Sequence, residues 1–245
     1  MACLQHMSEH DASFLECIRY FENISTADPF VLSLPPNTKG DDNLGLDSDN
    51  KDNSPDKKGN GDDDEFLKNM KNYNRSQISF GNLLGVGRSG SVFEAKFYEE
   101  IGAFKMVDLY KNEYLVTELL NEIKIYLGPL MDIQEIFIPK LIKFGVLNEA
   151  FVFLFVSLAG KSFTELENEV TLKEKKLAIL GLQMIHERGV KHGDIRLENI
   201  MINRDELTGK TSVWWIDFAW SKMGCDEKDL NKELIKLKHL LGMSD

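Results

Sequence analysis

The stretch that most constrains this chain reads His192-Gly193-Asp194-Ile195-Arg196-Leu197-Glu198-Asn199, and Ile216-Asp217-Phe218-Ala219 follows at the end of an apolar run. Asn and Asp side chains offer the oxygen ligands that a hard cation such as magnesium takes, where His or Cys would not. A carboxylate such as that of Asp194 can also orient or deprotonate a hydroxyl. A polar loop between two strands carries the same residue types, so the rest of the chain has to decide.

Composition removes several classes. The net charge of −11 argues against a general nucleic-acid binder, which shows a basic excess. Much of that charge is local: residues 40–65 hold ten Asp or Glu against three Lys, a net of −7. Cys3, Cys17 and Cys225 have no metal-ligand spacing, and an odd number suits no closed disulfide framework. A reducing intracellular home, cytoplasmic or nuclear, is therefore expected. The N-terminus has neither a basic nor an apolar signal region. No apolar run approaches membrane-spanning length, so no membrane role is expected.

Along the chain, Phe14, Ile18 and Phe21 recur at helical spacing beside Leu15, which predicts a short amphipathic helix over 11–25. Pro35-Pro36 closes an N-terminal segment, 1–36, and the polar, acidic stretch 37–65 reads as a disordered linker. Residues 1–65 are the expected docking segment for a protein partner. Order is expected to resume near Ile78. There an apolar run enters Gly85-Val86-Gly87-Arg88-Ser89-Gly90-Ser91-Val92 and leaves through a strand-like Phe93 to Phe97. A dinucleotide fold would open a helix after such glycines; strand, glycine turn and strand is a different arrangement. Lys105 sits inside the apolar strand Ile101 to Asp108, where a lysine is costly without a partner. Glu118 and Glu122, four apart on a helix from Glu113 to about Leu127, are both candidates. Thr171 and Glu174 form a capping box for a helix that delivers His192 to its loop.

The glycine run matches G-x-G-x-x-G-x-V, the loop resembles H-R-D-L-x-x-x-N, and Asp217-Phe218-Ala219 resembles D-F-G, so the chain resembles the protein-kinase fold. The resemblance implies an α+β, minimal bilobal protein-kinase-like domain over 78–245 that uses ATP and Mg2+. Gly85, Val86, Gly87, Gly90 and Val92 would lie over the phosphates, which Lys105, paired with Glu122, would position. Val156 would line the back of the adenine pocket, and Ser157 and Leu158 would offer backbone groups to the base. Asp194 would act on the acceptor hydroxyl, and Asn199 and Asp217 would bind the metal. Arg196 would neutralise the transferred phosphoryl or remain a surface arginine. His192 would brace the loop, whereas His186 reads as a packing or surface residue.

Departures from the family pattern are informative. Gly193 stands where the family carries the arginine that receives an activation-loop phosphate, and Ala219 replaces the last glycine of D-F-G. Only 26 residues follow Ala219, and no proline occurs after Pro139, so an A-P-E element is absent and the C-lobe is expected to be reduced. The reading is a phosphotransferase acting on a protein or small hydroxyl acceptor, of Ser/Thr protein-kinase type. The alternatives are a small-molecule kinase and a catalytically idle binding or scaffold module.

Overall fold

The computed structural model describes residues 61–87, 90–205 and 209–243. The helix expected over 11–25, residues 37–60 of the expected linker, and Arg88 and Ser89 of the glycine turn lie outside the described residues.

Strands β1 (Asn72–Tyr73), β2 (Ile78–Gly87), β3 (Gly90–Phe97), β4 (Glu100–Asp108), β5 (Leu141–Leu147) and β6 (Phe151–Val156) form a six-stranded sheet of order β1-β5-β6-β4-β3-β2. Period-two alternation gives this sheet two different faces. Phe93, Phe104 and Phe155 lie opposite one another across β3, β4 and β6 and, with Phe80, Phe97 and Phe153, make an aromatic face. Val92, Ala103, Lys105, Leu154 and Val156 belong to the other face. Helix α2 (Glu113–Leu127) starts at Asn112, whose side chain accepts the Tyr114 and Leu115 N–H groups. Its Val116, Leu119, Leu120 and Ile123 are buried in one core with Val107, Val152 and Leu154.

Regular structure is present before Ile78, which corrects the sequence expectation. Gly61 to Glu65, the last part of the expected linker, belong to helix α1 (Gly61–Lys68). Asp62, Asp63 and Asp64 occupy its first turn, where negative charge suits the helix dipole. Asp63 pairs with Lys124 at 2.5 Å, and Phe66 stacks on Phe144. Tyr73 meets Phe97 and Phe153 edge-on, and the Arg75 guanidinium lies over Phe80, so residues 73–75 cover the aromatic face.

The second half is richer in helix. It holds β7 (Lys161–Ser162), α3 (Phe163–Leu166), α4 (Leu172–Glu187), β8 (Val190–Lys191), β9 (Ile200–Arg204), β10 (Thr211–Trp215), β11 (Lys222–Met223) and α5 (Glu227–Leu240). Small sheets β10-β9-β7 and β11-β8 carry the loops between them. The Thr171–Glu174 capping box is present, and Glu174 also accepts from Arg204 at 2.8 Å. Fully buried Trp215 donates its indole N–H to the Ala178 carbonyl at 2.9 Å, anchoring β10 beneath α4. The result is a small α+β domain with a sheet-rich and a helix-rich part, as the sequence implied.

Candidate active site

Two loops converge at the ends of β8 and β10. Their backbones are joined where the Ile216 N–H donates to the Asn199 carbonyl at 3.1 Å. His192, wholly buried, donates from Nε2 to the Ile216 carbonyl at 3.1 Å, and its Nδ1 accepts the Asp194 N–H at 3.3 Å. Burial lowers the His192 pKa, consistent with a neutral ring that has one donor and one acceptor. The ring spans the two loops and braces both.

Lys105 lies between two carboxylates, 2.9 Å from Glu122 Oε2 and 2.8 Å from Asp217 Oδ1. Burial alone would lower its pKa, but Glu122 and Asp217 outweigh that and hold it above the usual lysine range. Burial raises the Glu122 pKa, and the Phe218 N–H donates to its Oε1 at 3.2 Å. For Asp217 the Lys105 charge overcomes burial and lowers the pKa. Asp217 adopts φ 65°, a left-handed conformation rare outside glycine that surrounding contacts must hold in place. Of the two glutamates weighed as partners, Glu118 lies elsewhere: it accepts the Trp220 indole N–H at 3.1 Å.

Asp194 faces this cluster. Its Oδ2 accepts from Asn199 Nδ2 at 3.0 Å and lies 2.9 Å from Arg196 Nε. Arg196 also reaches Asp217 Oδ2 at 3.8 Å, so one guanidinium spans both aspartates. With Nδ2 engaged by Asp194, the Asn199 amide oxygen remains to meet a cation. One amide and one carboxylate, Asn199 and Asp217, fit magnesium, which keeps waters and binds through few protein ligands plus phosphates. Among the described residues, no group of three His, Cys, Asp or Glu could hold a metal without such help.

The glycine turn pairs Gly85 with Val92, Val86 with Ser91 and Gly87 with Gly90. Val92 stands opposite Lys105 across β3 and β4, which sets the turn beside the lysine. The Ser157 N–H donates to the Lys140 carbonyl at 2.9 Å. That narrows the expectation for Ser157: of its backbone groups the carbonyl is the one left for a base. Leu158 lies past the end of β6 with its side chain partly exposed.

Two supporting residues, Glu233 and Asn121, escaped the sequence reading. Glu233 on α5 accepts the backbone N–H of Gly193 at 2.7 Å and of His192 at 3.0 Å. Its Oε2 also accepts from His186 Nε2 at 2.9 Å, so of the two readings given to His186 the packing one holds, with an acidic partner that the sequence did not disclose. Burial would raise the Glu233 pKa, but these donors outweigh it and lower the value. Asn121 Nδ2 lies within 3.2 Å of the Phe218, Ala219 and Ser221 carbonyls, tying α2 to the segment after Asp217. A signal for Glu233 existed: it interrupts the apolar stripe Leu230, Leu234, Leu237 of its helix.

A lysine bridging a helix glutamate and a strand-end aspartate, beside an Asp–Asn loop and under a glycine hairpin, defines a kinase-like domain. The chain belongs to the protein kinase family: the family described as Protein kinase domain matches residues 78–238. No curated protein matches the chain. Among the described residues no helix is long and apolar enough to cross a membrane.

Proposed function

We propose that the chain transfers the γ-phosphoryl of Mg-ATP to a hydroxyl acceptor, as a Ser/Thr-type protein kinase would. The observation that carries this reading is the joint placement of Lys105, Glu122 and Asp217 with Asp194, Asn199 and Arg196. Lys105, fixed by Glu122, holds the phosphates under Gly85, Gly87 and Gly90. Asn199 and Asp217 would hold magnesium, which supplies positive charge against the phosphates when bound. Asp194 orients the acceptor hydroxyl and takes its proton. The hydroxyl oxygen forms the new bond to the γ-phosphorus as the bond to the β-bridging oxygen breaks and ADP departs. Arg196, reaching both aspartates, is placed to meet charge on the transferred group. Residues 1–65 are the proposed docking segment for a protein acceptor, in an intracellular setting.

The test is transfer of labelled γ-phosphate with magnesium, comparing wild type with Asp194→Asn. A positioned acid–base group contributes about 10²–10⁴-fold in rate, so transfer should fall by that factor while Mg-ATP affinity stays near wild type. Equal transfer in both proteins removes Asp194 from the chemistry. Absence of transfer from wild type, with partner binding that survives Asp194→Asn, favours an idle binding module.

A further inference from the structure

Beside the Asp194 loop lies a cavity of about 460 Å³ lined by Lys191, Gly193, Ala219, Trp220, Ser221 and Lys222. Ligand pockets are commonly of this size. Lys191 and Lys222 stand directly opposite each other in the β8–β11 pair, so their side chains leave the same face. Like charges in that relation repel and weaken the pairing unless something neutralises them. Neither lysine forms an ion pair among the described residues. Asp229, whose carboxyl feels Lys191, is itself paired with Lys232 at 2.6 Å.

Gly193 gives the cavity its form. It adopts φ +87°, and a Cβ at this position would lie 2.2 Å from the Trp220 carbonyl oxygen. The backbone after Ala219 therefore closes against residue 193, where any side chain would block it. Trp220, whose indole N–H is held by Glu118 at 3.1 Å, contributes to the lining. Gly193 is also the residue immediately before Asp194, so the cavity adjoins the loop that carries this aspartate.

We propose that this cavity receives an anionic group of the acceptor, a carboxylate or a phosphate, next to the hydroxyl presented to Asp194. Lys191 and Lys222 supply charge-assisted hydrogen bonds to its oxygens, and the anion relieves their mutual repulsion. On a chain whose net charge is −11, this basic pair selects acidic acceptors at one point. The assignment to the acceptor rests on the phosphotransferase reading above; the anion site itself does not.

Two measurements on the full chain separate these. The first titrates inorganic phosphate, against chloride at matched ionic strength, while observing indole N–H signals by NMR. Trp220 lines the cavity, whereas Trp214 and Trp215 are buried and serve as references. A saturable shift confined to Trp220 is expected, weakened at least tenfold in Lys191→Gln/Lys222→Gln with Mg-ATP affinity unchanged. A missing shift, or an equal one in the double variant, overturns the site. The second compares transfer to matched acceptors: a serine peptide with Glu or Gln beside the serine, and glycerate against glyceramide. Wild type should favour the acidic member of one pair about tenfold in kcat/KM, and the double variant should lose that preference. The pair that responds tells a peptide acceptor from a small one. A preference that persists in the variant overturns the acceptor assignment. A Trp220 shift with no transfer to any acceptor overturns the phosphotransferase reading and leaves the anion site standing.

Discussion

The Glu233 carboxylate accepts the Gly193 N–H at 2.7 Å from 40 positions further along the chain. With the His192 N–H and the His186 ring on its other oxygen, it fixes the backbone immediately before Asp194 to α5. The loop is therefore shaped by a helix that contributes nothing to its sequence.

Glu233→Ala would leave these buried donors without an acceptor, at about 1–3 kcal/mol for each unsatisfied group. Urea unfolding should show a loss on the order of 2–4 kcal/mol. Transfer should fall while Mg-ATP affinity, which the proposed function assigns to Lys105 and Asp217, changes little. Stability and transfer both at wild-type level would show that α5 does not hold the loop.

Lys105→Met removes the only cation within ion-pair distance of Glu122 among the described residues. The methionine suits an apolar strand, yet breaking a buried pair costs roughly 3–5 kcal/mol because the remaining charge has no partner. Adding Glu122→Gln keeps an acceptor for the Phe218 N–H and removes that charge. Chemical denaturation should show the double variant recovering more than half of the lost stability, and calorimetry should show Mg-ATP binding still impaired. If the double variant binds as tightly as wild type, Lys105 does not position the phosphates.

At residue 193 the family's arginine cannot be restored without cost. Gly193→Ala meets both the positive φ and the Trp220 carbonyl. Left-handed strain alone is worth about 1–3 kcal/mol. Unfolding experiments should register a loss of at least that order, together with a moved Trp220 indole signal. An unperturbed signal and full stability would mean that the segment after Ala219 does not rest on Gly193.

Stability should decline with acid in two stages. His192 has a folded pKa below its ordinary 6.5, so below about pH 6.5 the unfolded chain binds a proton that the folded one refuses. Glu233 is depressed below 4.5, so its contribution is present above that value and is lost as pH falls through the folded pKa. Calorimetric Tm should therefore drop from pH 7 towards 5 and again below 4.5. His192→Gln should flatten the first stage relative to wild type. The same slope in both proteins would remove His192 as its source.

What the sequence disclosed was what local spacing encodes. Asp194 and Asn199 share one loop, and α2 runs between the limits that Asn112 and Gly128 mark. Lys105 was conspicuous because charge inside an apolar strand demands an explanation. Glu233 gave a like signal on its helix stripe, but its partners were not legible, because they are backbone amides and a histidine on other elements. Residues 61–65 read as linker because they are acidic, and 66–77 offer no apolar periodicity to read. Their contribution comes from Phe66, Tyr73 and Arg75 lying on rings brought together only by the sheet. For Ser157 the sequence does not tell that Lys140 takes the N–H and leaves the carbonyl.

The covering of the aromatic face also sets where this domain can be cut. The family match begins at Ile78, but a fragment started there would leave behind Tyr73, Arg75 and α1. Phe80, Phe97 and Phe153 would lose part of their shelter, β5 would become an open edge, and Lys124 would lose Asp63. Exposed strand edges and ring-lined surfaces promote self-association. For this chain the boundary that counts for folding lies some seventeen residues upstream of the boundary that defines its kinship, at Gly61.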